Sequence, residues 1–165
     1  MKQPSEEQIN IVESLFSKAI QRLIEEDLDN LMKELEAPII LSEEHKKLDR
    51  KLHEITINHR LAVYIEAIIN AEFPDYRKYK VDIEYNRFYH NHKEVLTEEG
   101  PKEARPDILV HTRTEKDINQ HFLAVECKKE NISKNDLLKI KGLISDENYN
   151  YLFGATVSYN RRNQK

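Results

Sequence analysis

Apolar residues recur at helical spacing through the start of the chain. Ile9, Val12, Phe16, Ala19 and Leu23 stand three or four apart, which predicts one long amphipathic helix from about Glu6 to Ala37. Ser5 and Gln8 supply a capping box ahead of it. The stripe shifts by one position to Ile24, Leu28, Leu31 and Leu35, and Pro38 stops the helix. Ser42 caps a second predicted helix running through Leu52, Leu61, Ile65 and Ile69, so the two elements form a helical hairpin. The period then changes from 3.6 to 2. Lys80 to Tyr89 reads as a strand with Val81, Ile83 and Tyr85 on one face and Asp82, Glu84 and Asn86 on the other. Gly100-Pro101 and its charged neighbours read as a long loop leading to a short β-run, Ile108-Leu109-Val110. Polar residues Thr114 to Gln120 read as a hairpin loop into a second run, Phe122-Leu123-Ala124-Val125. Ser133 then caps a helix through Leu137, Leu138, Ile140, Leu143 and Ile144, and Tyr151 to Ser158 is the last strand.

This order predicts a mixed α/β (α+β) domain in which helices flank a mixed central sheet. The 165 residues amount to one domain, long enough to bury a sizeable core. Within it, residues 1–40 form an accessory helix and 42–160 the core. The accessory helix has more apolar surface than its own domain needs, and a homodimer through it is expected.

Composition narrows the setting. A formal net charge of −4 argues against a general nucleic-acid coat, which is basic overall, but a local basic stripe is enough for an enzyme. One cysteine excludes an internal disulfide framework and suits a reducing, cytoplasmic compartment. No apolar run approaches the ~20 residues that cross a bilayer, and the start of the chain carries no secretion signal.

The candidate chemistry lies at the ends of the two β-runs. Asp107 opens the first, and Glu126-Cys127-Lys128 closes the second. Residues two apart on a strand share a face, so Glu126 and Lys128 project together and Cys127 points away, into the core. If the strands pair, Asp107 falls opposite one of them. Two carboxylates and an ammonium at one strand end suit a hard divalent cation and a polarised water. Glu54 is the other conspicuous acid. It projects onto the apolar stripe of the second helix, where an ionised carboxylate is costly unless paired or metal-bound. The bland alternative is a helix end that overhangs the core.

Pro106-Asp107 with Glu126-Cys127-Lys128 resembles the signature of the PD-(D/E)XK nuclease superfamily, over about 25 residues. The resemblance implies a restriction-endonuclease-like core of helix, three strands, helix and strand (αβββαβ), legible here from about Lys47 to Tyr159. It implies Mg²⁺ (Mn²⁺ as a substitute) held by Asp107, Glu126 and the backbone carbonyl of Cys127. Lys128 would then act on water and phosphate, and Glu54 would be the helix-borne acid pointing at the metal. The implied substrate is DNA rather than RNA, cut by a metal-activated water. Arg105, Lys129, Lys134 and Lys141 are the candidates for phosphate contact, Lys134 and Lys141 being two helical turns apart. Tyr89 and Tyr159 could stack on bases, although tyrosine in a strand is more often structural.

Competing chemistries find little support. His90-Asn91-His92 has no further Cys or His at zinc-site spacing, Cys127 faces the core, and there is no Gly-rich phosphate loop. The alternatives are a catalytically inactive protein of the same fold, used for nucleic-acid binding or assembly, and a helical interaction module in which the strand motif is a coincidence.

Overall fold

The computed structural model describes residues 3–28, 43–85, 87–88, 91–92, 94–97, 100–113, 121–129, 131–146, 149 and 151–159. Leu31 and Leu35, the helix stop at Pro38, the cap at Ser42, Asn86, Tyr89, His90 and the loop Thr114 to Gln120 fall outside them. Helix α1 spans Glu6–Leu23, and Ser5 Oγ accepts from the Gln8 N–H while the Gln8 side chain accepts from the Ser5 N–H, the reciprocal cap expected. The predicted helix does not stay α-helical throughout. Ile24–Leu28 is a π-helical turn, at the place where the apolar stripe shifts by one position. One inserted residue re-phases the face, and Glu26 and Asp27 of this turn accept from the Tyr64 hydroxyl, with Asp27 also paired to Arg60.

Helix α2 spans Glu43–Glu72. Leu61, Ile65, Ile68 and Ile69 are buried as predicted, joined by Ile57. They meet Leu15, Ala19 and Leu23 of α1, so the helical hairpin closes on the domain's own core. The buried row of α1 therefore differs from the predicted one: Ile9 is exposed, and Leu15 replaces it on the inward face.

The sheet has the order β1-β6-β7-β8, with β1 Lys80–Ile83, β6 Ile108–His111, β7 His121–Lys128 and β8 Tyr151–Ser158. The first three pair antiparallel, and β8 is parallel to β7. Helix α3, Lys134–Ser145, links β7 to β8, the crossover that a parallel pair requires. Two short hairpins intervene before β6: β2 Arg87–Phe88 with β3 Asn91–His92, and β4 Glu94–Thr97 with β5 Gly100–Glu103. The segment expected as a long loop thus contains a hairpin, anchored because Val95 is buried in the cluster that also holds Ile140 and Leu143 of α3. The first strand is also shorter than predicted. Glu84 adopts φ 48°, which ends β1 and sends Tyr85 to the opposite side of the sheet.

The sheet is the middle of three layers. Ile108, Val110, Val125 and Cys127 face α1 and α2, whereas Leu109 and Ala124 face α3. No helix among the described residues is long and apolar enough to cross a membrane.

Candidate metal centre

Strand register brings the acidic pair together. Ile108 pairs with Val125, so the next antiparallel position sets Asp107 opposite Glu126. The Asp107 Oδ2 atom accepts the backbone N–H of Cys127 at 2.6 Å, and its own carbonyl accepts the Glu84 N–H at 3.0 Å. A carboxylate thereby continues the β6–β7 ladder where the strand itself has stopped. Burial pushes the Asp107 carboxyl up to about 6; the Cys127 bond opposes this, the Glu126 charge adds to it, and Lys128 and Lys139 oppose it.

Glu126 is 1 % exposed and shares the α3 side of the sheet with Ala124. Its Oε1 accepts from Lys128 Nζ at 3.0 Å and from Lys139 Nζ at 2.5 Å. Its Oε2 is buried without a hydrogen-bond partner among the described residues. Burial opposes the charge on Lys128, but the Glu126 bond and the charges of Glu126, Asp107 and Asp136 outweigh it and raise its pKa. Asp136 completes the cluster, 3.7 Å from Lys128 Nζ. Burial again works against it, but two bonds from Ser133 and the charges of Lys128 and Lys139 hold its carboxyl below the usual range. Cys127 lies on the other face, fully buried, with its thiol pushed up by burial, so it is no nucleophile.

The remaining predicted residues are placed less uniformly. Glu54 comes to the same end of β7 from the α2 side. Its Oε2 is 3.4 Å from the Lys129 N–H, and its charge acts on Cys127 and Tyr159. Arg105 is exposed and 3.8 Å from the Glu84 carboxylate. Lys134 and Lys141 are exposed on α3, on the opposite side of the helix from its buried row Asp136, Ile140 and Leu143. Tyr159 is buried and its hydroxyl donates to Asn58 Oδ1 at 2.9 Å, which makes it a structural tyrosine.

Sequence reasoning missed Lys139 and Asp136 as site residues. The signal was available in the helical spacing: Asp136, Lys139, Ile140 and Leu143 fall on one face, and the cap at Ser133 fixes which end of α3 meets the strand ends. Leu137, predicted in the apolar row, is exposed instead, while Asp136 faces inward and its carboxylate accepts from the N–H and hydroxyl of the N-cap Ser133.

The donor set suits a hard cation with few protein ligands. Among the described residues no group of three or more His, Cys, Asp or Glu side chains gathers closely enough to hold a metal ion. Two carboxylates and a strand-end carbonyl nevertheless suit Mg²⁺, which keeps several waters and takes further ligands from substrate phosphates. The orphaned Glu126 Oε2 is the atom such an ion would satisfy.

No protein-family model, curated protein or solved structure matches the chain.

Proposed function

We propose that the chain is a Mg²⁺-dependent nuclease of the PD-(D/E)XK type, with a restriction-endonuclease-like core, that hydrolyses phosphodiester bonds in DNA. One observation carries the reading: a fully buried carboxylate oxygen, Glu126 Oε2, has no hydrogen-bond partner among the described residues, in a site that already contains Asp107 and Lys128. An unsatisfied buried acceptor costs about 1–3 kcal/mol, and a fold that keeps one at a cluster of charges is better explained by an external ligand than by packing. Asp107, Glu126 and the Cys127 carbonyl are the groups that would hold the ion. When bound, a divalent ion supplies Lewis acidity toward a phosphate oxygen and lowers the pKa of a bound water.

The chain's own residues do the rest. Lys128 remains cationic and is partly exposed, so its ammonium can orient the attacking water and offset charge on the phosphate. The Cys127 N–H fixes the Asp107 carboxylate, and the strand pair fixes Glu126 opposite it, which limits reorganisation during reaction. Arg105, Lys129, Lys134 and Lys141 remain the candidates for contact with the nucleic-acid backbone.

A second reading has one observation in its favour. Glu126 Oε1 is already held by two lysines, an internally neutralised arrangement that suits a non-catalytic protein of the same fold. The discriminating experiment is incubation with supercoiled, linear and single-stranded DNA in Mg²⁺ or Mn²⁺, with EDTA and Asp107→Ala as controls. Cleavage that needs the ion and Asp107 supports the nuclease. DNA binding without cleavage on any substrate supports the inactive relative.

A further inference from the structure

Helix α3 delivers to the strand ends a cation that neither strand supplies. Lys128 and Lys139 donate to the same oxygen of Glu126, at 3.0 and 2.5 Å. One ammonium would suffice to balance one carboxylate. Two ammoniums sharing an oxygen repel each other at a separation of a few ångströms, and here the surrounding carboxylates of Asp107 and Asp136 offset that repulsion. The second oxygen of Glu126 is buried and has no hydrogen-bond partner among the described residues. The arrangement therefore supplies positive charge to one side of Glu126 and leaves its other side for a ligand.

Resting on the metal-site reading above, we propose that Lys139 is a positioning residue that serves as the built-in counter-cation of Glu126: it fixes the buried carboxylate and competes with the divalent ion for its charge. The competition follows from geometry. The Lys139 side chain is 25 % exposed while that of Glu126 is 2 % exposed, so water screens their attraction poorly. A divalent ion held by Glu126 would share that carboxylate's charge with Lys139. Lys139 also acts on Asp107 and Asp136, so three acidic groups feel its removal.

A merely structural lysine makes the opposite forecast. If Lys139 only tethers α3 to β7, its loss loosens the site and weakens ion binding. If it competes with the ion, its loss strengthens binding. Mn²⁺ binding measured by calorimetry on the full chain separates the two, with thermal melts confirming that each variant is folded. Lys139→Met should bind Mn²⁺ roughly tenfold more tightly than wild type, within the usual range of coupling between two ligands of one group. Its melting temperature should also rise more than that of wild type on addition of Mn²⁺. Lys139→Arg should keep wild-type affinity, because it keeps the charge. Should Lys139→Met not fold, Lys139→Gln makes the same comparison. Equal or weaker Mn²⁺ binding by the folded neutral variant, with wild type binding and cleaving normally, overturns the role of Lys139 and leaves the nuclease reading standing. Wild type that neither binds Mn²⁺ nor cleaves overturns both.

Discussion

Asp107 accepts the backbone N–H of Cys127 at 2.6 Å, so a candidate metal ligand also closes the β6–β7 ladder. The two roles separate by substitution. Asp107→Ala removes the acceptor and leaves the Cys127 N–H buried without one, a cost of about 1–3 kcal/mol. Asp107→Asn keeps an oxygen at the same place and should lose less than about 1 kcal/mol. Urea denaturation should rank the variants wild type or Asn first, then Ala, while both lose Mn²⁺ binding. Equal stability of Ala and Asn would show that the Cys127 bond contributes nothing.

The acid side of the pH profile follows from the same group. The Asp107 carboxyl stands at about 6 in the folded chain against an ordinary 3.8, chiefly through burial. Between those values the folded chain holds a proton that the unfolded chain has released. The contribution of Asp107 to stability is thus fully present below 3.8 and is lost as pH rises through about 6. Ion binding runs the other way, because a protonated carboxyl is a poor ligand. Mn²⁺ affinity should fall as pH drops through about 6, and the acid limb of any cleavage profile should follow it. Affinity unchanged between pH 7 and pH 5 would exclude Asp107 as a ligand.

The parts of the fold read correctly from the sequence are those where local chemistry decides the structure. The capping box at Ser5, the N-cap at Ser133, the buried row of α2 and the inward Cys127 all follow from spacing and parity. Strand parity also puts Glu126 and Lys128 together; it leaves open which of them Asp107 meets, and the register sets Asp107 opposite Glu126. What escaped depends on contacts distant in sequence. β1 stops at Ile83 because Glu84 turns into the left-handed region, where its N–H meets the Asp107 carbonyl. Val95 makes strand of an apparent loop because α3 covers it. Helical spacing puts Lys139 on the inward face with Asp136, but it meets Glu126 only because the β7–α3–β8 crossover folds α3 over that strand end.

Packing of α3 gives a test of that crossover. Gly142 faces β4, and a Cβ added there would lie 2.7 Å from Val95 Cβ, an atom tied to the backbone and unable to yield. Two effects oppose each other in Gly142→Ala. Helix propensity favours alanine by about 1 kcal/mol, whereas overpacking costs about 1–3 kcal/mol. Overpacking should win, so the variant is expected to unfold at lower denaturant concentration. A gain in stability would show that the β4–β5 hairpin moves aside freely.

Lys128 separates catalysis from binding. Asp107→Ala removes a ligand and should abolish both cleavage and tight metal binding. Lys128→Ala leaves both carboxylates in place and leaves Lys139 on Glu126. It should therefore retain Mn²⁺ binding, and tighten it, since a nearby cation has gone. Its cleavage rate should nevertheless fall roughly a hundredfold or more, the effect of deleting one electrostatic stabiliser. Lys129→Ala keeps its backbone N–H, the group that meets Glu54, and so tests the Lys129 side chain alone as a phosphate contact. If the site has no catalytic role, Asp107→Ala still loses the Cys127 hydrogen bond, at a cost of about 1–3 kcal/mol, but none of the three substitutions changes cleavage. Equal cleavage by wild type and Lys128→Ala, in preparations shown free of contaminating nuclease, would remove Lys128 from the mechanism and leave Lys139 as the only other ammonium on Glu126 among the described residues.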